Sequence, residues 1–213
     1  MEREKLEFDV LFVGAGPANL AGAIHLKRLA QQQGREIEVC IIEKAEAIGG
    51  HSLSGAVLDP KALVELMPDF REKGCPIEET DLRDGVFYLT ATGRLRLPYT
   101  PPYMHNKGCL IISLSKFCAW LGTLAEESGV NIFPGFAGVE ALYDEAGCRV
   151  IGVRTGDKGV NKDGKPRTNF EPGVDLLAKV TVFGEGPKGS LIREVGKKLG
   201  TFTGRMPQVF ETA

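Results

Sequence analysis

Six consecutive residues near the start, Gly14-Ala15-Gly16-Pro17-Ala18-Asn19, have the types and spacing of a phosphate-cradling turn. Gly14 permits a tight bend, and Gly16 lets the backbone approach a pyrophosphate closely. Pro17 suits the first turn of a helix, where a missing N–H costs nothing. That helix would aim free N–H groups and the positive end of its dipole at phosphate oxygens, with Ala18 and Asn19 in its first turn. Glu43, 24 residues beyond Asn19, can accept hydrogen bonds from both hydroxyls of an adenosine ribose. Its charge repels a 2′-phosphate, which disfavours NADP. The plain alternative is an ordinary turn of an α/β domain with no ligand. Position 19 departs from the pattern, which favours glycine or alanine for close helix–strand packing. Asn19 therefore predicts a helix set slightly outward, or an amide turned to solvent or to the cofactor, with Gly22 recovering some closeness.

A second constellation lies far along the chain, Val180-Thr-Val-Phe-Gly-Glu185-Gly186 with Gly189 before a closing helix. An apolar strand ends in a carboxylate and glycines, as in the second flavin fingerprint of the large FAD-binding families. The plain alternative here is a strand-to-helix turn capped by its Glu. Read together, the two segments point to FAD, which needs contacts from two distant parts of a chain. Between them, Glu43-Lys44 leads into Ile48-Gly49-Gly50-His51-Ser52-Leu53-Ser54-Gly55, whose small residues would let the backbone run beside a flavin. Backbone N–H groups near Ser54, Gly55 and Gly186 could stabilise a reduced ring. The cofactor-binding candidates are thus Gly14, Gly16, Pro17, Ala18, Asn19, Glu43, Lys44, Gly50, His51, Ser54, Gly55, Val139, Glu185, Gly186 and Gly189. His51 is read as structural or backbone-bonded rather than as a proton donor. His25 and His105 have no recognisable metal or nucleophile partner, and no catalytic residue is assigned.

The elements that must position these residues follow from periodicity. Phe8–Val13 is a nearly continuous apolar run, the pattern of a strand buried on both faces of a parallel sheet. A helix over 17–31 with Leu20, Ala21 and Ile24 on one side, stopped by Gly34, leads to a strand over 38–43. That makes a right-handed βαβ unit. Prolines break residues 51–102, where 61–67 alone reads as a short helix. The clearest helix runs from Leu114, capped by Ser113 or Ser115 and stopped by Gly129. A short strand at 131–133 precedes a hairpin of 139–143 with 149–155, turned at 144–147. Residues 156–173 read as a polar surface loop, 176–183 as a strand and 190–199 as a helix; 201–213 show no period. The expected fold is α/β, a Rossmann-like FAD-binding domain of the glutathione-reductase/hydroxylase type, with an inserted β-hairpin and an irregular segment. Its expected extent is 1–213, incomplete at the C-terminus, with 51–110 as an irregular insertion.

Lys and Arg number 26 against 28 Asp and Glu, a net charge of −2, so no basic excess argues for nucleic acid. The first seven residues alternate charges and carry no signal core. No apolar run approaches the roughly 20 residues of a membrane span. A cytoplasmic location is expected, with peripheral contact at the inner face of the cell membrane left open. Five cysteines without a C-x-x-C pair argue against a disulfide framework or a zinc site.

At these residues the chain resembles the electron-transfer flavoprotein–ubiquinone oxidoreductases. The similar stretches are Phe8-Asp-Val with Gly14-Ala-Gly-Pro17, Leu53-Ser-Gly-Ala-Val57, Met104-His-Asn-Lys-Gly108, Ile112-Ser-Leu114, Phe133-Pro-Gly-Phe136, Thr155-Gly-Asp157, Glu185-Gly186 and Pro207-Gln208. The resemblance implies an FAD that takes electrons from reduced electron-transfer flavoprotein and delivers them to ubiquinone, directly or through a [4Fe-4S] cluster. It also implies chains well over twice this length, with the cluster cysteines in the remainder; none of the five cysteines here has cluster spacing. The residues leave two alternatives open. One is a flavoprotein of the geranylgeranyl-reductase or hydroxylase type; the other is a truncated FAD-binding module without activity.

Overall fold

The computed structural model describes residues 3–80, 84–161 and 166–201. Along the chain these form β1 (Lys5–Val13), α1 (Pro17–Gln32), β2 (Val39–Glu43), β3 (Gly55–Leu58), α2 (Lys61–Leu66), β4 (Ile77–Glu79), β5 (Phe87–Leu89) and β6 (Arg94–Arg96). After a 3-10 turn at Pro102–Met104 come β7 (Leu110–Ser113), α3 (Leu114–Glu127), β8 (Asn131–Pro134), β9 (Gly138–Tyr143), β10 (Val150–Thr155), β11 (Lys158–Val160), β12 (Pro166–Glu171), β13 (Asp175–Phe183) and α4 (Leu191–Lys198).

The main sheet has the order β8-β2-β1-β13-β10-β9. β8, β2, β1 and β13 run parallel, while β10 lies antiparallel to both β13 and β9. β1 is the point where the order reverses: the chain leaves it toward β2 on one side and returns as β13 on the other. Its apolar run is explained by burial on two faces. Phe12, Val39 and Ile41 face Leu20, Ala23 and Ile24 of α1 and Phe117, Leu121 and Ala125 of α3. On the opposite face Leu11, Val13, Cys40 and Ile42 cluster with Val153 of β10, Leu176 of β13 and Leu191 of α4. Successive strand residues alternate between those layers, and each fully buried aliphatic side chain contributes about 1.5–3 kcal/mol.

The expected helices and the 139–143/149–155 hairpin are present, the latter as β9 and β10. Ser113, not Ser115, caps α3, accepting from the Lys116 N–H at 3.5 Å. Two stretches differ from expectation. Within 51–110, β3 and β4 both pair with β7 as a three-stranded antiparallel sheet, and β5 pairs with β6. Leu110, Ile112, Leu63, Met67 and Phe70 join the core under α1 and α3, so prolines interrupt this segment without making it irregular. The polar stretch 156–173 contains the β11–β12 hairpin; its side chains lie largely on the surface, so no apolar alternation marks it. Residues 202–213, including Pro207-Gln208, lie outside the described residues.

At the edge where β1 begins, Arg154 clamps Asp175 with two bonds of 2.6 and 3.0 Å and reaches Glu140 at 2.6 Å. Arg3 bonds Asp157 at 2.5 Å and the Gly173 carbonyl at 3.0 Å, fixing the β11–β12 hairpin to the sheet. These ion pairs hold one end of the sheet and leave the other end to the glycines.

Candidate functional site

The candidate residues gather where β1, β2 and β13 end together. Val13 is level with Ile42 of β2 and with Phe183 of β13, so Gly14, Glu43 and Gly184-Glu185 emerge side by side at one edge. This is the carboxyl edge of a parallel sheet at its switch point, where ligands of such sheets bind. The first turn and the second are bonded to each other: the Gly184 N–H donates to the Val13 carbonyl at 3.0 Å, and Gly14 N–H donates to Ile42 at 2.8 Å.

Gly14 has φ +95°, and a Cβ there would lie 2.7 Å from the Gly184 carbonyl oxygen. The position therefore requires glycine twice over, for conformation and for space. Gly16 differs: it sits at the N-cap of α1 with φ −77°, and a Cβ would meet nothing within 4 Å. Open space at the mouth of a helix whose first turn is Pro17 and Ala18 is where phosphate oxygens would come. Neither an acidic side chain in the first turn of α1 nor a side-chain cap competes for that pole.

Both carboxylates are held by backbone donors. Glu43 Oε2 accepts from the Ala15 N–H at 2.8 Å and Oε1 from the Ala45 N–H at 2.8 Å. Glu185 Oε1 accepts from Leu191 N–H at 3.1 Å and Oε2 from Ile192 N–H at 2.8 Å, capping α4. The capping alternative for Glu185 is thus present in the structure. An ionised carboxylate offers about four acceptor positions, so two bonds leave lone pairs for the hydroxyls of a ligand.

Asn19 turns neither to solvent nor outward. It is 4% exposed, and its Nδ2 donates to the carbonyls of Val13 at 3.0 Å and Gly14 at 2.7 Å. The turn leaves those carbonyls facing α1, and an amide at this position supplies their donors.

The remaining candidates spread along the same chain path. Lys44, Gly50, His51, Ser54 and Gly55 are exposed. Gly50 N–H closes a turn onto the Ala47 carbonyl at 3.0 Å, the Ser54 carbonyl accepts from Leu114 N–H at 3.4 Å, and Gly55 pairs with Ser113. Val139 is exposed at the start of β9, beside Gly156. Gly186 at φ +80° has open space above it, whereas Gly189 packs closely on Ile192. Sequence reasoning missed the backbone partners of Glu43 and the small residue Gly184; its place beside Glu185 was the available signal. Among the described residues no group of three or more His, Cys, Asp or Glu could hold a metal ion. No helix among them is long and apolar enough to cross a membrane. Burial pushes the Cys40 thiol up to about 12 and the Cys118 thiol upward, so neither is a nucleophile.

No protein-family model matches the chain. Among solved structures, a geranylgeranyl bacteriochlorophyll reductase-like protein from Thermoplasma acidophilum aligns with a TM-score of 0.60 at 18% identity, over 90% of this chain and 42% of that one. A flavin-dependent monooxygenase solved with FAD and substrate aligns at 0.56 and 16% identity, over 92% of this chain and 32% of the other. At such identities the likeness shows the fold, a Rossmann-like domain shared with FAD-dependent enzymes. In sequence, the mitochondrial electron transfer flavoprotein-ubiquinone oxidoreductase of Dictyostelium discoideum is 46% identical over 98% of this chain. That of Pseudomonas aeruginosa is 47% identical over 93%. The chain spans about a third of the length of these relatives, 34% and 36%. With identity this high over almost all of its residues, the chain belongs to the electron transfer flavoprotein-ubiquinone oxidoreductase family, matching the N-terminal portion of its members.

Proposed function

We propose that this chain holds FAD along the carboxyl edge of its parallel sheet, as the flavin-binding part of an electron transfer flavoprotein-ubiquinone oxidoreductase. One observation carries the proposal: two fingerprints 170 residues apart, at Gly14 and Gly184, meet at the end of β1 beside an open helix mouth. Gly14, Gly16, Pro17, Ala18 and Asn19 form the pyrophosphate cradle. Glu43 keeps lone pairs for the adenosine ribose, and Glu185 with Gly186 and Gly189 serves the ribityl side. Lys44, Gly50, His51, Ser54, Gly55 and Val139 complete the path of contact.

The flavin, when bound, supplies the electron-transfer chemistry. The residues of the chain bind and orient it, and none is assigned proton transfer. The names of its relatives support reduced electron-transfer flavoprotein as donor and ubiquinone as acceptor; a cytoplasmic body with peripheral contact at the inner face of the cell membrane is proposed beside them. In this reading residues 1–213 are one FAD-binding domain, incomplete at the C-terminus, and the ligands of any iron–sulfur cluster belong to the part of the family's length that this chain does not span.

The test is the visible spectrum of the purified chain and its titration with FAD, beside Gly16→Ala. The wild type is expected to take up FAD in a 1:1 complex. Gly16→Ala is expected to melt at the wild-type temperature yet lose at least tenfold in affinity, because its methyl group projects into open space reserved for phosphate. A colourless wild type that takes up no FAD overturns the proposal.

A further inference from the structure

Asn19 touches both fingerprints. Its amide nitrogen donates to the carbonyls of Val13, the last residue of β1, and Gly14, the first of the phosphate turn. The same amide lies against Gly184 of the second fingerprint, where a Cβ would come within 2.3 Å of its nitrogen and oxygen. Beside the backbone bond from the Gly184 N–H to the Val13 carbonyl, this buried side chain fills the space between the two loops. Gly184 is small because the amide occupies the room a side chain would need. The site can therefore tolerate a large residue at position 19 only by giving up bulk at 184.

We infer that Asn19 is a positioning residue, an internal clasp that sets the distance between the pyrophosphate turn and the Glu185 loop before any cofactor arrives. The inference rests on the FAD reading for its ligand-binding half alone. FAD spans both loops, and ADP reaches only the first. Loosening the clasp thus weakens FAD more than ADP, a difference that simple destabilisation would not produce. A tenfold loss of affinity, about 1.4 kcal/mol, is the size of effect expected when the amide is removed.

The experiment compares wild type, Asn19→Ala, Gly184→Ala and the double variant in the full chain. Thermal melting without ligand is read beside FAD and ADP affinities. Gly184→Ala alone is expected to melt well below wild type, because its methyl overlaps the amide. In the Asn19→Ala background the same methyl has room, so the double variant is expected to melt at or above Asn19→Ala. FAD affinity is expected to fall about tenfold in both variants that lack the amide, with ADP falling less than threefold. Additive melting shifts at positions 19 and 184, or wild-type FAD affinity in Asn19→Ala, overturn the clasp. So does full recovery of FAD affinity in the double variant, which would reduce the amide to a space-filler. Failure of the wild type to bind FAD refutes the cofactor reading instead, while the ligand-free melting cycle still decides whether the clasp exists.

Discussion

Replacing Glu43 by Gln changes one atom type at the carboxyl edge of the sheet. In the wild type each carboxylate oxygen takes one backbone N–H at 2.8 Å, from Ala15 and from Ala45. Glutamine offers one oxygen, and its NH2 group must then face the other N–H, donor against donor. A hydrogen bond to a charged acceptor is worth about 1.5–3 kcal/mol. Glu43 is only half-buried, so the lower part of that range applies, about 1.5–2 kcal/mol. For a domain of this size the melting temperature shifts about 2–4 °C per kcal/mol, giving a fall of about 3–8 °C. Binding suffers separately, since ribose hydroxyls lose a charged acceptor; about 1.5 kcal/mol there lowers FAD affinity about tenfold. Circular dichroism melting without ligand and quenching of flavin fluorescence on titration measure the two effects independently. Riboflavin, which lacks the adenosine, serves as the control and is expected to bind both proteins equally. A melting temperature within 1 °C of wild type would refute Glu43 as the brace of the turn, and unchanged FAD affinity would refute the ribose role.

Gly14→Ala is expected to cost at least about 2 kcal/mol even without ligand, seen as a lower urea midpoint, because positive φ and the Gly184 carbonyl both oppose a methyl group. Arg154, hydrogen-bonded to both carboxyl oxygens, holds Asp175 below the usual carboxylate range. A depressed folded pKa gives stability that is present above about pH 4 and lost as the pH falls through the folded value. Urea midpoints between pH 7 and pH 2.5 are therefore expected to decline less steeply in Asp175→Asn. At pH 7.5 a maleimide is expected to modify the exposed Cys148 and to spare Cys40 until the chain unfolds. Native-state labelling of Cys40, read by mass spectrometry, would contradict a closed sheet.

The βαβ unit was legible because the end of β1, Val10–Val13, and Val39–Ile42 of β2 are packed on both sides and read as short apolar runs, beside Gly14 and Gly34. α3 was equally plain, its apolar spacing ending at Gly129 with φ +81°. The β3–β7–β4 sheet was not. Its strands are three or four residues long, too short for alternation to stand out, and β3 finds β7 across half a hundred intervening residues. The residue types of the candidate site were visible at Gly14, Gly16, Glu43 and Glu185, but the bonds these groups make were not. Ala15, Ala45, Leu191 and Ile192 contribute through backbone N–H groups, and backbone donors leave no mark in residue type. Asn19 misled for a related reason: an amide on a helix facing a turn reads as solvent-exposed until the freed carbonyls beneath it are seen.

The pairing of β1 with β13 makes the first strand and the last one neighbours, Val13 beside Phe183. A growing polypeptide therefore carries one half of its nucleotide grip from the outset and acquires the other only when nearly all the described residues have been made. Under the proposed function, loading with dinucleotide must wait for β13, and a retained yellow colour would certify that β1 and β13 had found each other.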